Sequence, residues 1–315
     1  MNVLKKYSKI IILAAAAAFL TAVPRGAAFA VNEGFNPRVM HEANKIITDY
    51  EAQILKNGPS VEAYEWIIKG LKIRKEAYFA SGGASEIDEK ITEKYKKIIE
   101  IDPSHYESLC ELIAAEINKG AVEGQIEKLD GLVKNNPSRY EARLLRGRAL
   151  FYSADFDGAI MDITKAVSMI PGKNNADAGY YKKLLETSNK HSAVIKKNAP
   201  KGLKEIIESS SAAEAVQLFE LAGVFLDPEM VKCPANVKTG MDFLKKAIEK
   251  DPNYVEPYIK LGEALGEINC EYKEAMKVLS KVDNIAKEKS VLKRARLLRQ
   301  KYYKLSMSKG KSKKK

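Results

Sequence analysis

The side chains best able to do chemistry in this chain are its three histidines and three cysteines, and their spacing makes no reactive set. His41, His105 and His191 lie far apart, and none stands in an H-E-x-x-H frame or beside a cysteine pair, so no metal is expected. No phosphate-cradling glycine loop and no G-x-S-x-G elbow occurs. Carboxylate pairs such as those in ELIAAEI belong to any acidic helical surface and carry no catalytic information. The expectation is a non-enzyme with no catalytic residue and no cofactor. What remains is recognition chemistry: Arg148 beside Phe151 and Tyr152 offers a cation and two aromatic platforms, types enriched in interface hot spots. The competing reading packs those rings against a neighbouring helix.

The elements that would position these residues are set by three prolines. Pro103, Pro137 and Pro171 are spaced by 34 residues and then 34 again, the period of a helix-turn-helix unit that must stack on copies of itself to bury its apolar face. Before Pro171, YEARLLRGRALFYSADFDGAIMDITKAVSMIP places Gly147 in a first helix, a turn at Ala154 and Asp155, and Ala159, Ile163, Ala166 and Val167 on one face of a second helix. Toward the C-terminus, GMDFLKKAIEKDP repeats the pattern with Gly240, Leu244, Ala247 and Pro252. The next stretch supplies Tyr258, Leu261, Gly262, Leu265, Tyr272, Ala275, Leu279 and Val282, with one extra residue in its turn. Trp66 and Gly70 match further back, although the loop after them is about nine residues too long.

These residues resemble the tetratricopeptide repeat family, of an exported bacterial type. The resemblance implies an all-α fold, a right-handed superhelical solenoid of helix-turn-helix repeats with a C-terminal capping helix. The repeat domain is expected over residues 31–286, best formed at 106–137, 140–171 and 240–282 and irregular over 172–235. In the family the first helix of each pair lines a concave groove that binds extended or helical peptides. The matching positions here are Tyr64, Ile67 and Leu71, then Cys110, Ala114 and Ile117, then Leu144, Arg148, Phe151 and Tyr152, and finally Ile259 and Glu263. Chaperone-binding members clamp a terminal carboxylate with lysines and asparagines. This chain has Leu144, Arg148, Cys110 and Ala114 at those places, so that ligand is not carried over. Because repeats fill most of the chain, no room remains for the lysozyme-like domain that a superhelical lytic enzyme would need.

Ahead of the repeats, Lys5, Lys6 and Lys9 precede an apolar run from Ile10 to Leu20, and Ala28, Phe29 and Ala30 follow. Residues 1–30 therefore read as a secretory signal peptide cleaved after Ala30, with an apolar core shorter than the roughly 20 residues of a membrane span. The mature protein is expected in the periplasm or another extracytoplasmic space, soluble, with a protein or peptide partner. Export makes nucleic acid an unsuitable one.

An exported chain with three cysteines leaves one over after any pairing. Cys233 and Cys270 fall in turns that stacked pairs place along one edge. A disulfide between them would close a loop of 37 residues and stabilise the fold by up to about 4 kcal/mol. The alternative is two thiols, and Cys110 is the unpaired residue.

Charge is unevenly divided. Residues 287–315 hold thirteen lysines and arginines against Glu288, a net +12 that equals the charge of the whole chain. The leader adds four positive charges, which leaves the repeat body mildly acidic at about −4. Residues 287–307 read as a basic amphipathic helix with Val291, Ala295, Leu298, Tyr302 and Leu305 on its apolar stripe, and residues 308–315 as a disordered lysine-rich tail. That helix either caps the last repeat or meets an anionic membrane surface or cell-wall polymer.

Overall fold

A computed structural model describes residues 37–78, 84–170, 176–208 and 213–312. The signal peptide expected over residues 1–30 and the last three lysines lie outside them. The chain divides into two compact units. Among the described residues, one takes in those between 37 and 149 and between 162 and 183, the other those between 150 and 161 and between 184 and 312. Among the described residues all regular structure is helical.

Helix ends follow from local chemistry. In the first unit, α1 (Pro37–Asn57), α2 (Val61–Tyr78), α3 (Ala84–Ile101), α4 (Tyr106–Asn118) and α5 (Gln125–Asn135) succeed one another with each helix packed on the next. Ser60 Oγ accepts from the amide of Ala63 to start α2, and His105 Nδ1 accepts from the amide of Ser108 to start α4. The helices that precede Pro103, Pro137 and Pro252 stop two residues before each proline, at Ile101, Asn135 and Lys250. The proline spacing therefore marks real helix boundaries at these three places, while Pro171 lies outside the described residues.

The core of the first unit joins Ile67, Ile68 and Leu71 of α2 to Ile87, Ile91, Tyr95 and Ile98 of α3, with Ile47, Tyr50 and Ile54 of α1 against it. Gly70 is required here. A Cβ on it would stand 2.8 Å from Ile47 Cγ1 and 3.0 Å from the Ala43 carbonyl, so α1 could not approach α2. Tyr50 stacks on Trp66 with ring centroids 5.4 Å apart.

Helix α6 (Glu141–Tyr152) begins one repeat after α4, and α7 (Phe156–Met169) follows it. Tyr106 Oη accepts from the Ala142 amide at 3.0 Å, and Arg148 Nη2 lies 3.5 Å from the carbonyl oxygen of Ala114, the residue 34 positions earlier. Asp162, 2% exposed, takes a two-pronged hydrogen bond from Arg146, Nε to Oδ2 at 2.5 Å and Nη2 to Oδ1 at 2.7 Å. Arg146 also reaches Asp130 at 2.8 Å, so one guanidinium ties α5, α6 and α7 within the unit.

The second unit continues through α8 (Ala176–Asn198), which starts in the first, then α9 (Leu203–Glu208), α10 (Ala215–Phe225) and α11 (Pro234–Lys250). The 172–235 stretch, expected to be helical in pattern with an interruption at Asn198 to Gly202, has helices on either side of the non-helical residues 199–202. A reciprocal pair between Glu214 and Gln217 caps the start of α10, and Pro234 occupies the first turn of α11. Next come α12 (Val255–Glu263), running directly into a π turn at Ala264–Ile268, then α13 (Tyr272–Ser280), α14 (Val282–Ile285) and α15 (Lys289–Ser312). The extra residue noticed in this repeat is absorbed by the π turn.

Helix α15 packs on α13 as the expected capping helix would, with Ala295 and Tyr302 fully buried. Its bounds differ from the expected 287–307. It starts at Lys289 and runs unbroken to Ser312, so residues 308–312 are helical and not disordered. The physical reason is propagation: once the first turns are seated, each further residue adds a backbone hydrogen bond at little cost.

Removing the buried carboxylate should show how much the Arg146 node contributes. Asp162→Ala leaves the guanidinium without its main partner, and urea unfolding is expected to report a loss of about 3 kcal/mol, against a small change for the half-exposed Asp242→Ala.

Candidate protein-binding groove

The side chains expected to line a concave groove are mostly interior. In the first unit, Ile67, Leu71, Cys110, Ala114, Ile117 and Leu144 are buried, and Tyr64 packs half-buried on the core. Arg148 is 2% exposed, and its Nε finds no hydrogen-bond partner among the described residues. In the second unit, Phe151 is fully buried, edge-on to Tyr152 and Phe156 at 5.7 and 5.5 Å. Tyr152 and Ile259 are buried as well. Glu263 is half-exposed, but its carboxylate accepts from Arg294 of α15 at 2.5 Å. The groove assignment is corrected accordingly. A helix inside a stack has neighbours on several sides, and positions that family spacing directs toward a ligand here meet the adjoining helices.

The cysteine expectation also changes. All three cysteines are thiols, so Cys233 and Cys270 are not joined. Cys233 is buried at the cap of α11, whereas Cys270 is exposed in the turn after the π segment, with φ at 58°. One thiol faces the interior and the other faces water. Cys110 is packed beside the Tyr106 hydroxyl, and burial pushes its thiol up to about 12.

A recess of about 940 Å³ opens within the second unit between α11, α12 and α13. Its floor is apolar: Val237 and Met241 from α11, Leu261 from α12 and Leu265 from the π turn, with Ile268 and Val278 partly exposed at the edges. Lys238, Lys245 and Glu249 form one rim, and Glu271, Glu274 and Lys281 the other. Burial raises the pKa of the Tyr258 hydroxyl, which donates to the Pro252 carbonyl at the end of the recess. Asn269 Nδ2 sits over Met241 Sδ at 3.6 Å and donates to Glu271 at 3.0 Å. Close approaches on the other faces shape the recess. A Cβ at Gly240 would stand 2.7 Å from Leu226, and one at Gly262 only 2.5 Å from the Leu279 side chain. These glycines let α11 approach α10 and α12 approach α13 closely.

The repeat interval returns at the end of the chain. Lys301 Nζ meets Glu267 at 2.6 Å, again 34 residues apart, and the Tyr302 hydroxyl donates to the same carboxylate at 2.9 Å. These two bonds hold Glu267 below the usual carboxylate range, the lysine contributing most. Helix α15 thus stands one repeat beyond α12, as Arg148 stands one repeat beyond Ala114. The fold is an all-α helical repeat whose interval is 34 residues.

The sequence matches no protein-family model and no curated protein. Among solved structures it is similar to yeast Tom70, with 17% identity over 85% of this chain and a TM-score of 0.33, and it spans 60% of the length of that chain. It is also similar to the TPR2AB domain of yeast Sti1, solved as a complex with pHSP90, at 20% identity over 76% of this chain and 98% of that one, TM-score 0.29. A tetratricopeptide repeat protein from Parabacteroides merdae gives 13% identity over 84% of this chain and 99% of that one, TM-score 0.31. At values this low the likenesses add nothing to the geometry of the chain itself.

Sequence reasoning chose Arg148 as the important cation of this helical repeat and missed Arg146, two positions away. The available signal was Asp162, a carboxylate on the otherwise apolar face of Ala159, Ile163 and Ala166, which needs a cation to be buried. Among the described residues no group of histidine, cysteine, aspartate and glutamate could hold a metal ion.

The thiols give a direct check. In native protein at mildly alkaline pH, a maleimide reagent is expected to label Cys270 rapidly and Cys110 only after unfolding; failure to label Cys270 would restore the disulfide.

Proposed function

We propose that this chain is a non-catalytic, exported scaffold that binds a protein partner in the recess between α11, α12 and α13. The observation that carries the reading is the recess itself, about 940 Å³ with an apolar floor between rims bearing both signs of charge. Such a surface suits a partner helix or extended segment whose apolar side chains fill the floor while its charged residues meet the rims. This moves the expected binding surface from the first helices of the middle repeats to the C-terminal repeats. The leader-like composition of residues 1–30 supports export to a periplasmic or other extracytoplasmic space. N-terminal sequencing of the protein recovered from cells is expected to begin at Val31.

Affinity capture from a detergent extract of the source organism's cell envelope tests the binding site. The chain from Val31 is expected to retain a protein that the double variant Ile268→Arg, Lys281→Glu does not. Both residues lie at the edge of the recess and are exposed, so folding should persist. Equal retention by both proteins would contradict the assignment.

A further inference from the structure

Helix α15 has two chemically different sides, and only one is used by the fold. The inward side buries Ala295 and Tyr302, and the cations next to it are committed. Arg294 bonds Glu263, Lys301 bonds Glu267, and Arg299 bonds Asp283 at 2.6 Å. At about 100° per residue, the opposite side carries Lys289, Lys293, Leu297, Tyr303, Lys304 and Met307 within an arc of roughly 120°. Leu297, Tyr303 and Met307 are 56%, 55% and 55% exposed, an unusual cost for three large side chains on one helix. Lys289, Lys293 and Lys304 are exposed and make no ion pair among the described residues. Arg296, in the same arc, approaches Asp283 only at 3.7 Å and stays largely exposed. No acidic residue occurs anywhere in α15.

We propose that this outer side of α15 docks on an anionic lipid bilayer surface. The lysines meet headgroup phosphates, and Leu297, Tyr303 and Met307 enter the boundary between headgroups and acyl chains. The apolar members select lipid over a soluble polyanion, because a polymer in water can neutralise lysines but offers no hydrocarbon for a leucine or methionine. The helix lies along the surface; no described helix is long and apolar enough to cross a membrane. The inference is independent of the recess between α11 and α13.

Vesicle co-sedimentation of the chain from Val31 tests it, with phosphatidylcholine vesicles compared with phosphatidylglycerol-rich ones, and soluble polyphosphate as a competing probe. Every variant is made from Val31, because the basic, apolar residues 1–30 would themselves bind anionic vesicles and mask the contribution of α15. The parent is expected to prefer anionic vesicles and to lose them at high salt. Lys289→Gln, Lys293→Gln, Lys304→Gln together should weaken vesicle binding about 100-fold. Leu297→Ser, Tyr303→Ser, Met307→Ser together should weaken it about tenfold or more while leaving polyphosphate binding as in the parent. Helix content and unfolding should match the parent, since all six side chains point away from the fold, and Ile268→Arg should still bind vesicles. Unchanged vesicle binding by the serine variant would replace lipid by a soluble or cell-wall polyanion. Equal binding by parent and both variants would remove the proposal altogether.

Discussion

The end of this molecule depends on a glycine lying under an aromatic ring. A Cβ on Gly266 would fall 2.3 Å from the ring of Tyr302, so only the absence of a side chain lets α15 settle against the π turn that ends α12. With the ring seated, its hydroxyl reaches Glu267 and its face stacks on Tyr272 with centroids 6.1 Å apart. Lys301 comes within reach of the same carboxylate. Burial and the Glu267 carboxylate both raise the Tyr302 pKa, so the hydroxyl stays a donor. The same device closes α12 on α13 at Gly262 and α10 on α11 at Gly240. Stacked repeats gain their stability from nearest-neighbour contact, so the distance these glycines allow governs how much apolar surface each interface hides.

Charge follows the same geometry. The mildly acidic repeat body and the strongly basic C-terminal helix look, by composition, like parts with separate purposes. In the structure part of the imbalance is internal, since Glu263, Glu267 and Asp283 take up Arg294, Lys301 and Arg299. These exposed pairs are individually weak, but they fix the rotation of α15 about its axis. That rotation decides which cations remain for something outside the chain.

Much of the fold was legible because its signals are local. Prolines at Pro103, Pro137 and Pro252 act on the residues just before them, and small residues such as Gly262 and Ala275 declare a close crossing wherever they recur in phase. The extra residue after Leu265 was visible too, though not its form as a π turn. The site was less legible. Whether Phe151 faces a ligand or Phe156 depends on how neighbouring helices fit, and Arg146 becomes important only when Asp130 and Asp162, each 16 residues away, close on it. The tail expected to be disordered is helical to Ser312 because tertiary seating upstream overrides a lysine-rich composition.

The most direct test of this account is amide hydrogen exchange on Gly266→Leu beside the parent. If close approach at this glycine seats the last helix, the variant should lose protection throughout α15 and along α13, while α2 and α3 keep the protection of the parent. Unchanged protection in α15 would mean that the helix is held by other contacts, and would contradict the claim that the glycine and the tyrosine together close the repeat.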